Sequence, residues 1–322
     1  MDSPSAIYEI RRVLIEKDDF VLAAHVNPDS DAIGSCLAMG LALKKLGKRV
    51  HVTVDHFHDK NRVIPGQELV WPDGASEPEC AVFIVLDCAS ADRVSDRYGL
   101  LKRAETVVFI DHHLSNDQSA RRVYLDPDAS SSCELVYRII SPIIEIDCGI
   151  ASAIYAGLLT DTGGFRHACA SAETMRAAGE LMKLGVPFTS IYDELMRKHS
   201  LPESLALRAA LNHLKLLNDS RFACAYISAE EMEEINADIT DTDGISEYLL
   251  NITGVEVSLF LYEKVKNEVK ASMRSLNINL SGIAKLFGGG GHKYASGCTI
   301  HGSIPAARDR LSAEILGAMG PV

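Results

Sequence analysis

The stretch Phe20-Val-Leu-Ala-Ala-His25-Val-Asn-Pro-Asp29-Ser-Asp31-Ala-Ile-Gly34-Ser35 joins an apolar run to a cluster of one imidazole and two carboxylates. An apolar-periodic segment follows, so the cluster lies between a buried strand and a helix. Pro28 biases Asn27 away from the helical region and removes a backbone donor. His25, Asp29 and Asp31 therefore belong to a strand-to-helix loop. Such loops, at the carboxyl ends of parallel strands, are where α/β sheets bind ligands.

The same grammar returns twice downstream. Ala81-Val-Phe-Ile-Val-Leu-Asp87 is an apolar run ending in a carboxylate, and Thr106-Val-Val-Phe-Ile-Asp111-His112-His113 ends in a carboxylate and two imidazoles. Runs apolar throughout indicate strands covered on both faces, hence a parallel sheet between helices. Around them the pattern predicts a helix over 4–16, with Ile7, Ile10, Leu14 and Ile15 on one face. It also predicts a helix from Asp31 to Leu46 stopped at Gly47, a strand over 49–55 and a helix from Asp92 to Arg103. Arg121-Arg122 reads as a solvated basic pair. Ser130 to Gly185 is mostly helical, and Ser130-Ser131-Ser132 with Glu134 reads as a helix cap. Asp161 closes an apolar helix, where the helix dipole disfavours its charge by a few tenths to about 1 kcal/mol, a cost that a nearby cation reverses.

The fold class is therefore α/β. Residues 1–190 form a larger domain with a mainly parallel sheet between helices, 191–218 a helical linker, and 219–322 a smaller α+β domain across a cleft. In the latter, strands are expected near 222–227, 255–262 and 267–275, with helices near 229–237, 280–287 and 304–318. The run Gly288-Gly289-Gly290-Gly291 cannot be a stable helix or strand interior, and its backbone can approach a ligand closely.

At 322 residues, with 47% hydrophobic and 24% charged residues, the chain has an ordinary globular composition. No apolar run reaches the roughly 18 to 20 residues of a membrane span, and the amino terminus lacks a signal pattern, so a cytoplasmic protein is expected. Eight scattered cysteines without a Cys-x-x-Cys pair fit a reducing compartment. A net charge of -12 argues against coating long nucleic acid by general attraction. Lys264, Lys266, Lys270, Arg274, Lys285 and Lys293, against Glu268 alone, make a basic segment able to meet an anion.

His25, Asp29, Asp31, Asp87, His112 and Asp161 offer four carboxylates and two imidazoles with no thiolate. That donor set suits a hard-to-borderline divalent ion, Mn²⁺ first, with Mg²⁺ or Co²⁺ as alternatives. Six ligands exceed what one catalytic ion uses. Two ions about 3.5 to 4 Å apart, bridged by a carboxylate, employ them all.

The motifs His25-x-x-Pro28-Asp29-x-Asp31-Ala32-x-Gly34-Ser35, Leu86-Asp87, Asp111-His112-His113 and Asp161-Thr162-Gly163 resemble the four signatures of the DHH phosphoesterase superfamily. Gly288-Gly289-Gly290-Gly291-His292 resembles the glycine-rich motif of the DHH-associated domain of the first type. The likeness spans almost the whole chain. It implies that His25, Asp29 and Asp87 hold one metal ion and that Asp31, Asp87, His112 and Asp161 hold the other. It further implies that Asp111 orients a ligand imidazole and that His113 faces the phosphate. Gly289, Gly290, Gly291 and His292, with Arg274, would clamp the far end of the substrate.

Without extra binding, membrane or sensor segments, the chain is similar to the stand-alone members of that superfamily. Those hydrolyse RNA of a few nucleotides and dephosphorylate 3′-phosphoadenosine 5′-phosphate. The expected partners are accordingly short single-stranded RNA, dinucleotides and nucleoside 3′,5′-bisphosphates, with no membrane. Linear dinucleotides from cyclic dinucleotide signalling, single-stranded DNA ends and a non-catalytic nucleotide sensor are the alternatives. The family implies a homodimer, for which no interface is visible in the residues.

Overall fold

A computed structural model describes residues 3–54, 57, 59–72, 75–88, 90, 93–94, 98–113 and 122–320. The chain divides into two compact units, one ending at Lys198 and the other beginning at His199.

The first unit runs α1 (Ser3–Glu16), β1 (Phe20–Ala23), α2 (Ser30–Lys45), β2 (Val50–Thr53), β3 (Val82–Leu86), α3 (Tyr98–Arg103), β4 (Thr106–Asp111) and β5 (Arg122–Leu125). Four helices follow: α4 (Ser132–Ile140), α5 (Cys148–Asp161), α6 (Ala172–Lys183) and α7 (Phe188–Tyr192). The five strands are all parallel, in the order β2-β1-β3-β4-β5. The continuous apolar runs have the cause expected of them. Phe20, Leu22, Ile84, Val108 and Ile110 enter the core shared with α1, α2, α4 and α5, while Val21, Phe83, Val85 and Phe109 pack with Trp71, Val94 and Leu100 on the other face. Each such large side chain, fully buried, contributes about 1.5–3 kcal/mol.

Several local expectations change. On α1 the buried stripe is Ala6, Ile10, Val13 and Leu14, whereas Ile15 is exposed. Of the helix expected over Asp92 to Arg103, the described residues show Tyr98–Arg103 as helical, and Arg93 and Val94 as otherwise placed. Val94 forms an antiparallel bridge with His25, and Val26 N–H donates to Arg93 O at 2.9 Å, so tertiary pairing overrides the helical pattern there. Arg122, read as half of a solvated pair, opens edge strand β5, whose Tyr124 is buried. Asp55, Asp92 and Arg121 lie outside the described residues.

The second unit contains α8 (Leu201–Asn212), β6 (Lys215–Leu217), β7 (Phe222–Ile227), α9 (Ala229–Glu234), α10 (Ile245–Leu250), β8 (Val257–Val265) and β9 (Glu268–Ser275). It ends with α11 (Leu280–Leu286), β10 (Gly290–His292), β11 (Ala295–His301) and α12 (Ile304–Met319). Its six strands form a mixed sheet, β10-β11-β9-β8-β7-β6, in which only β7 and β8 pair in parallel. One face carries α11 and α12, and the other α8, α9 and α10. The glycine run is not excluded from the sheet after all. Gly290 and Gly291 enter edge strand β10, a position where a three-residue strand tolerates weak propensity. Among the described residues no helix is long and apolar enough to cross a membrane.

Candidate metal centre

The first sheet's order reverses between β1 and β3, so the chain leaves the carboxyl ends of these neighbours in opposite directions. Such a point opens a crevice. The loop after β1 brings His25, Asp29 and Asp31 to it, β3 brings Asp87, and β4 brings Asp111, His112 and His113. Asp161 arrives from the carboxyl end of α5, which packs closely on α2.

Three sets of ligand atoms lie within 4.8 Å of one another: His25, Asp29 and Asp87; Asp31, His112 and Asp161; and Asp87, His112 and His113. The six residues named from the sequence thus gather at one place. Asp87 stands between the first two sets. Its Oδ2 is 3.7 Å from His25 Nε2 and its Oδ1 is 3.5 Å from His112 Nε2, while His112 Nε2 is 3.3 Å from Asp161 Oδ2. The backbone of Asp87 is left-handed, with φ +51°, an uncommon state for a side chain other than glycine and one that clusters at functional sites.

Five of the six residues are held from behind. Asp29 caps α2, its Oδ1 accepting from Asp31 N–H and Ala32 N–H at 3.0 Å. Asp31 Oδ2 accepts from Ser132 N–H at 2.7 Å and its Oδ1 from Cys133 N–H at 3.0 Å, both at the amino end of α4. Ser132 Oγ–H donates to Asp87 Oδ1 at 3.0 Å. His25 Nδ1–H donates to Val26 O at 2.8 Å, and His112 Nδ1 faces Ala129 O at 3.4 Å. Because a carbonyl only accepts, Nδ1 is the protonated nitrogen of each ring, and Nε2 is the atom that can serve a cation once it has lost its own proton. Asp111 holds the ring of His113. Its Oδ1 accepts from His113 Nδ1–H at 2.7 Å and from the backbone N–H of His112 at 2.8 Å.

The electrostatics require a positive partner. Burial, then the charge of Asp87, raises the carboxyls of Asp29 and Asp31, the latter well above its usual range. Burial pushes Asp161 up to about 7. His112 is raised to about 10: burial opposes its charge, but hydrogen bonding to Asp87 and the charges of Asp31 and Asp161 prevail. Among the described residues no Lys or Arg pairs with Asp29, Asp31, Asp87 or Asp161; only imidazoles do. Buried carboxylates without cationic side chains, with oxygen and imidazole donors converging, fit divalent metal ions.

From the sequence, the amino end of α4 reads as a cap outside the catalytic set, with the resemblance allowing it a supporting role near the site. Ser131 does accept from Glu134 N–H at 3.1 Å, and its next residue reaches the site. Sequence reading missed Gly157. A Cβ on Gly157 would collide with Asp31 Oδ1 and Cys133 Sγ, and one on Gly34 would lie 2.7 Å from Ala153 O. Gly157→Ala is expected to displace Asp31, lowering stability by about 1–3 kcal/mol and activity more than stability. Thermal melting and turnover measured together check this.

In the second unit, β9 alternates. Val269, Ala271 and Met273 enter the core with α11 and α12, so Lys270, Ser272 and Arg274 take the opposite face. Arg274 pairs in register with Ala295, Ala295 with His292, and Gly290 with Gly297, which puts Arg274, Gly290 and His292 on that same face. Arg274 is half-buried, and its guanidinium donates to Met273 O at 3.1 Å. Gly289 and Gly291 have a packing cause of their own. A Cβ on Gly289 would collide with Gly297 O, and one on Gly291 would lie 2.6 Å from Ala295 O.

Comparison with known proteins adds to this geometry. Residues 19–159 match the DHH family, N-terminal domain, and residues 219–318 match the DHHA1 domain. The chain is 31% identical over 283 residues to the bifunctional oligoribonuclease and PAP phosphatase NrnA of Thermus thermophilus, covering 87% of this chain and 84% of that one. Among solved structures, an exopolyphosphatase-related protein from Bacteroides fragilis superposes with a TM-score of 0.88 at 27% identity, covering 96% of this chain and 95% of the other. RecJ of Thermus thermophilus in complex with Mn²⁺ shares the fold, with a TM-score of 0.60 at 15% identity, covering 98% of this chain and 55% of that one.

Proposed function

Because the chain belongs to the DHH family and carries a DHHA1 domain, we propose that it is a phosphoesterase that works with two divalent metal ions. It hydrolyses very short oligoribonucleotides to mononucleotides and removes the 3′-phosphate of 3′-phosphoadenosine 5′-phosphate. The observation that carries this reading is Asp87, a buried carboxylate whose two oxygens face two separate ligand sets.

His25, Asp29 and Asp87 would hold one ion, and Asp31, Asp87, His112 and Asp161 the other. Mn²⁺ is our assignment for both, from the oxygen and imidazole donors and the absence of thiolate. The chemistry such a pair supplies when bound is acidification of water and stabilisation of charge on phosphate oxygens. His113 supplies a proton. Hydrogen bonding to Asp111 raises its pKa, so the imidazolium persists nearer neutral pH. With Nδ1–H committed to Asp111, Nε2–H is the atom that donates to a phosphate oxygen or to the departing ribose oxygen.

Within this reading residues 1–190 carry the chemistry, and residues 219–322 contribute substrate contacts through Arg274, Gly289, Gly290, Gly291 and His292. The net charge of -12 disfavours long polyanions, so selection for short substrates follows. The eight free cysteines suit a reducing, cytoplasmic setting.

The test is purified protein with Mn²⁺ against end-labelled RNA from dinucleotide to 24-mer and against 3′-phosphoadenosine 5′-phosphate. Rates should be highest for the shortest RNA, with phosphate released from the bisphosphate. Absence of hydrolysis of every substrate would overturn the proposal.

A further inference from the structure

The geometry points to Ser132 as a positioning residue that controls one side of the metal centre. Its hydroxyl fixes the Oδ1 edge of Asp87, and with it the ion assigned to Asp31, His112 and Asp161 more than the ion assigned to His25 and Asp29. This inference rests on the two-ion reading above.

Asp87 presents unlike oxygens to its neighbours. Oδ2 faces His25 Nε2 at 3.7 Å, while Oδ1 faces His112 Nε2 at 3.5 Å and accepts from Ser132 Oγ–H at 3.0 Å. The direction of that hydrogen bond is fixed, because a carboxylate only accepts. The same residue's backbone N–H donates to Asp31 Oδ2 at 2.7 Å. Ser132 thus grips two carboxylates of one ligand set and none of the atoms peculiar to the other. It is fully buried, so water cannot replace its hydroxyl.

Ser132 is itself held rigidly. Ser131 caps the helix through Glu134 N–H, and the Glu134 carboxylate accepts from Ser130 N–H at 3.2 Å and from Thr174 Oγ1–H at 2.8 Å. Arg11, from α1, donates to Ile139 O at 2.9 Å and Arg138 O at 2.7 Å at the far end of α4. A hydroxyl fixed this well limits rotation of the Asp87 carboxylate. Removing it leaves the backbone grip on Asp31 intact and frees Oδ1 alone.

Calorimetric titration of the metal-free protein with Mn²⁺ tests this. Wild type should show two classes of site. Ser132→Ala should weaken one class by about 10–100-fold, the range for losing a partner of a ligand, and leave the other unchanged. Ser132→Thr, which keeps a hydroxyl, should restore it. The weakened class should be the one lost in His112→Ala and kept in His25→Ala. Two unchanged classes, equal weakening of both, or a threonine variant no better than alanine would overturn the role of Ser132. A wild type that does not bind two ions would instead overturn the two-ion reading.

Discussion

Asp87→Asn is expected to lose activity by more than about a thousandfold while the metal-free protein melts at a higher temperature than wild type. Asp87 is 2% exposed, and its charge raises the carboxyls of both Asp29 and Asp31. An amide removes that repulsion. It also tolerates the left-handed backbone at φ +51° better than most residues, and its carbonyl oxygen still accepts from Ser132 Oγ–H. What it removes is the carboxylate that, among the described residues, is shared by the His25 and His112 ligand sets. With excess Mn²⁺ the order of stability should reverse, because ligands bound by the folded state alone stabilise it. Melting with EDTA and with Mn²⁺, beside turnover of a labelled dinucleotide, checks both halves. Near-normal activity in metal-replete buffer would sink the assignment of Asp87.

Asp87 also shows why so much of the site was legible. It ends a strand buried on both faces, and such a strand announces itself by an uninterrupted apolar run. The cluster after β1 and the one ending β4 are legible for the same reason. Short elements are less so, because pairing rather than pattern creates them. β5 and β10 occupy sheet edges, where register with one neighbour decides the conformation, and β6 is only three residues long. The stretch before α3 departs from its helical pattern because Val94 pairs with His25.

The supports of the centre were hidden for a different reason. Asp31 is held by backbone N–H groups 101 and 102 residues away, a contact that no local spacing encodes. Gly157 matters because two helices approach there, and a helical glycine alone does not say what lies opposite. Even Asp111-His112-His113, the most explicit motif, leaves open which ring the carboxylate holds. The answer, His113, follows from the turn after β4.

The metal-free protein should become less stable as pH rises from 5.5 to 8.0, by roughly 5–10 °C in melting temperature, and Mn²⁺ should restore more at the higher pH. Asp161 titrates at about 7 in the folded chain, against about 3.9 when unfolded. Between those values the folded state binds more protons, so stability falls as pH rises. His112 acts in the same direction. Raised to about 10 from about 6.5, it contributes stability that is complete below the lower value and lost as pH climbs through the higher. Asp29, Asp31 and His113 are also shifted upward and add slopes of the same sign. Carboxyls held below their usual range, such as Glu134 and Glu256, change protonation only under more acidic conditions. Divalent ions need deprotonated carboxylates and neutral imidazoles, so their binding competes with these same protons. Melting curves at pH 5.5, 7.0 and 8.0, each with EDTA and with Mn²⁺, measure both trends. A metal-free melting temperature that rises with pH, or a Mn²⁺ gain indifferent to it, would show that these buried carboxyls and His112 do not titrate as one metal-binding cluster.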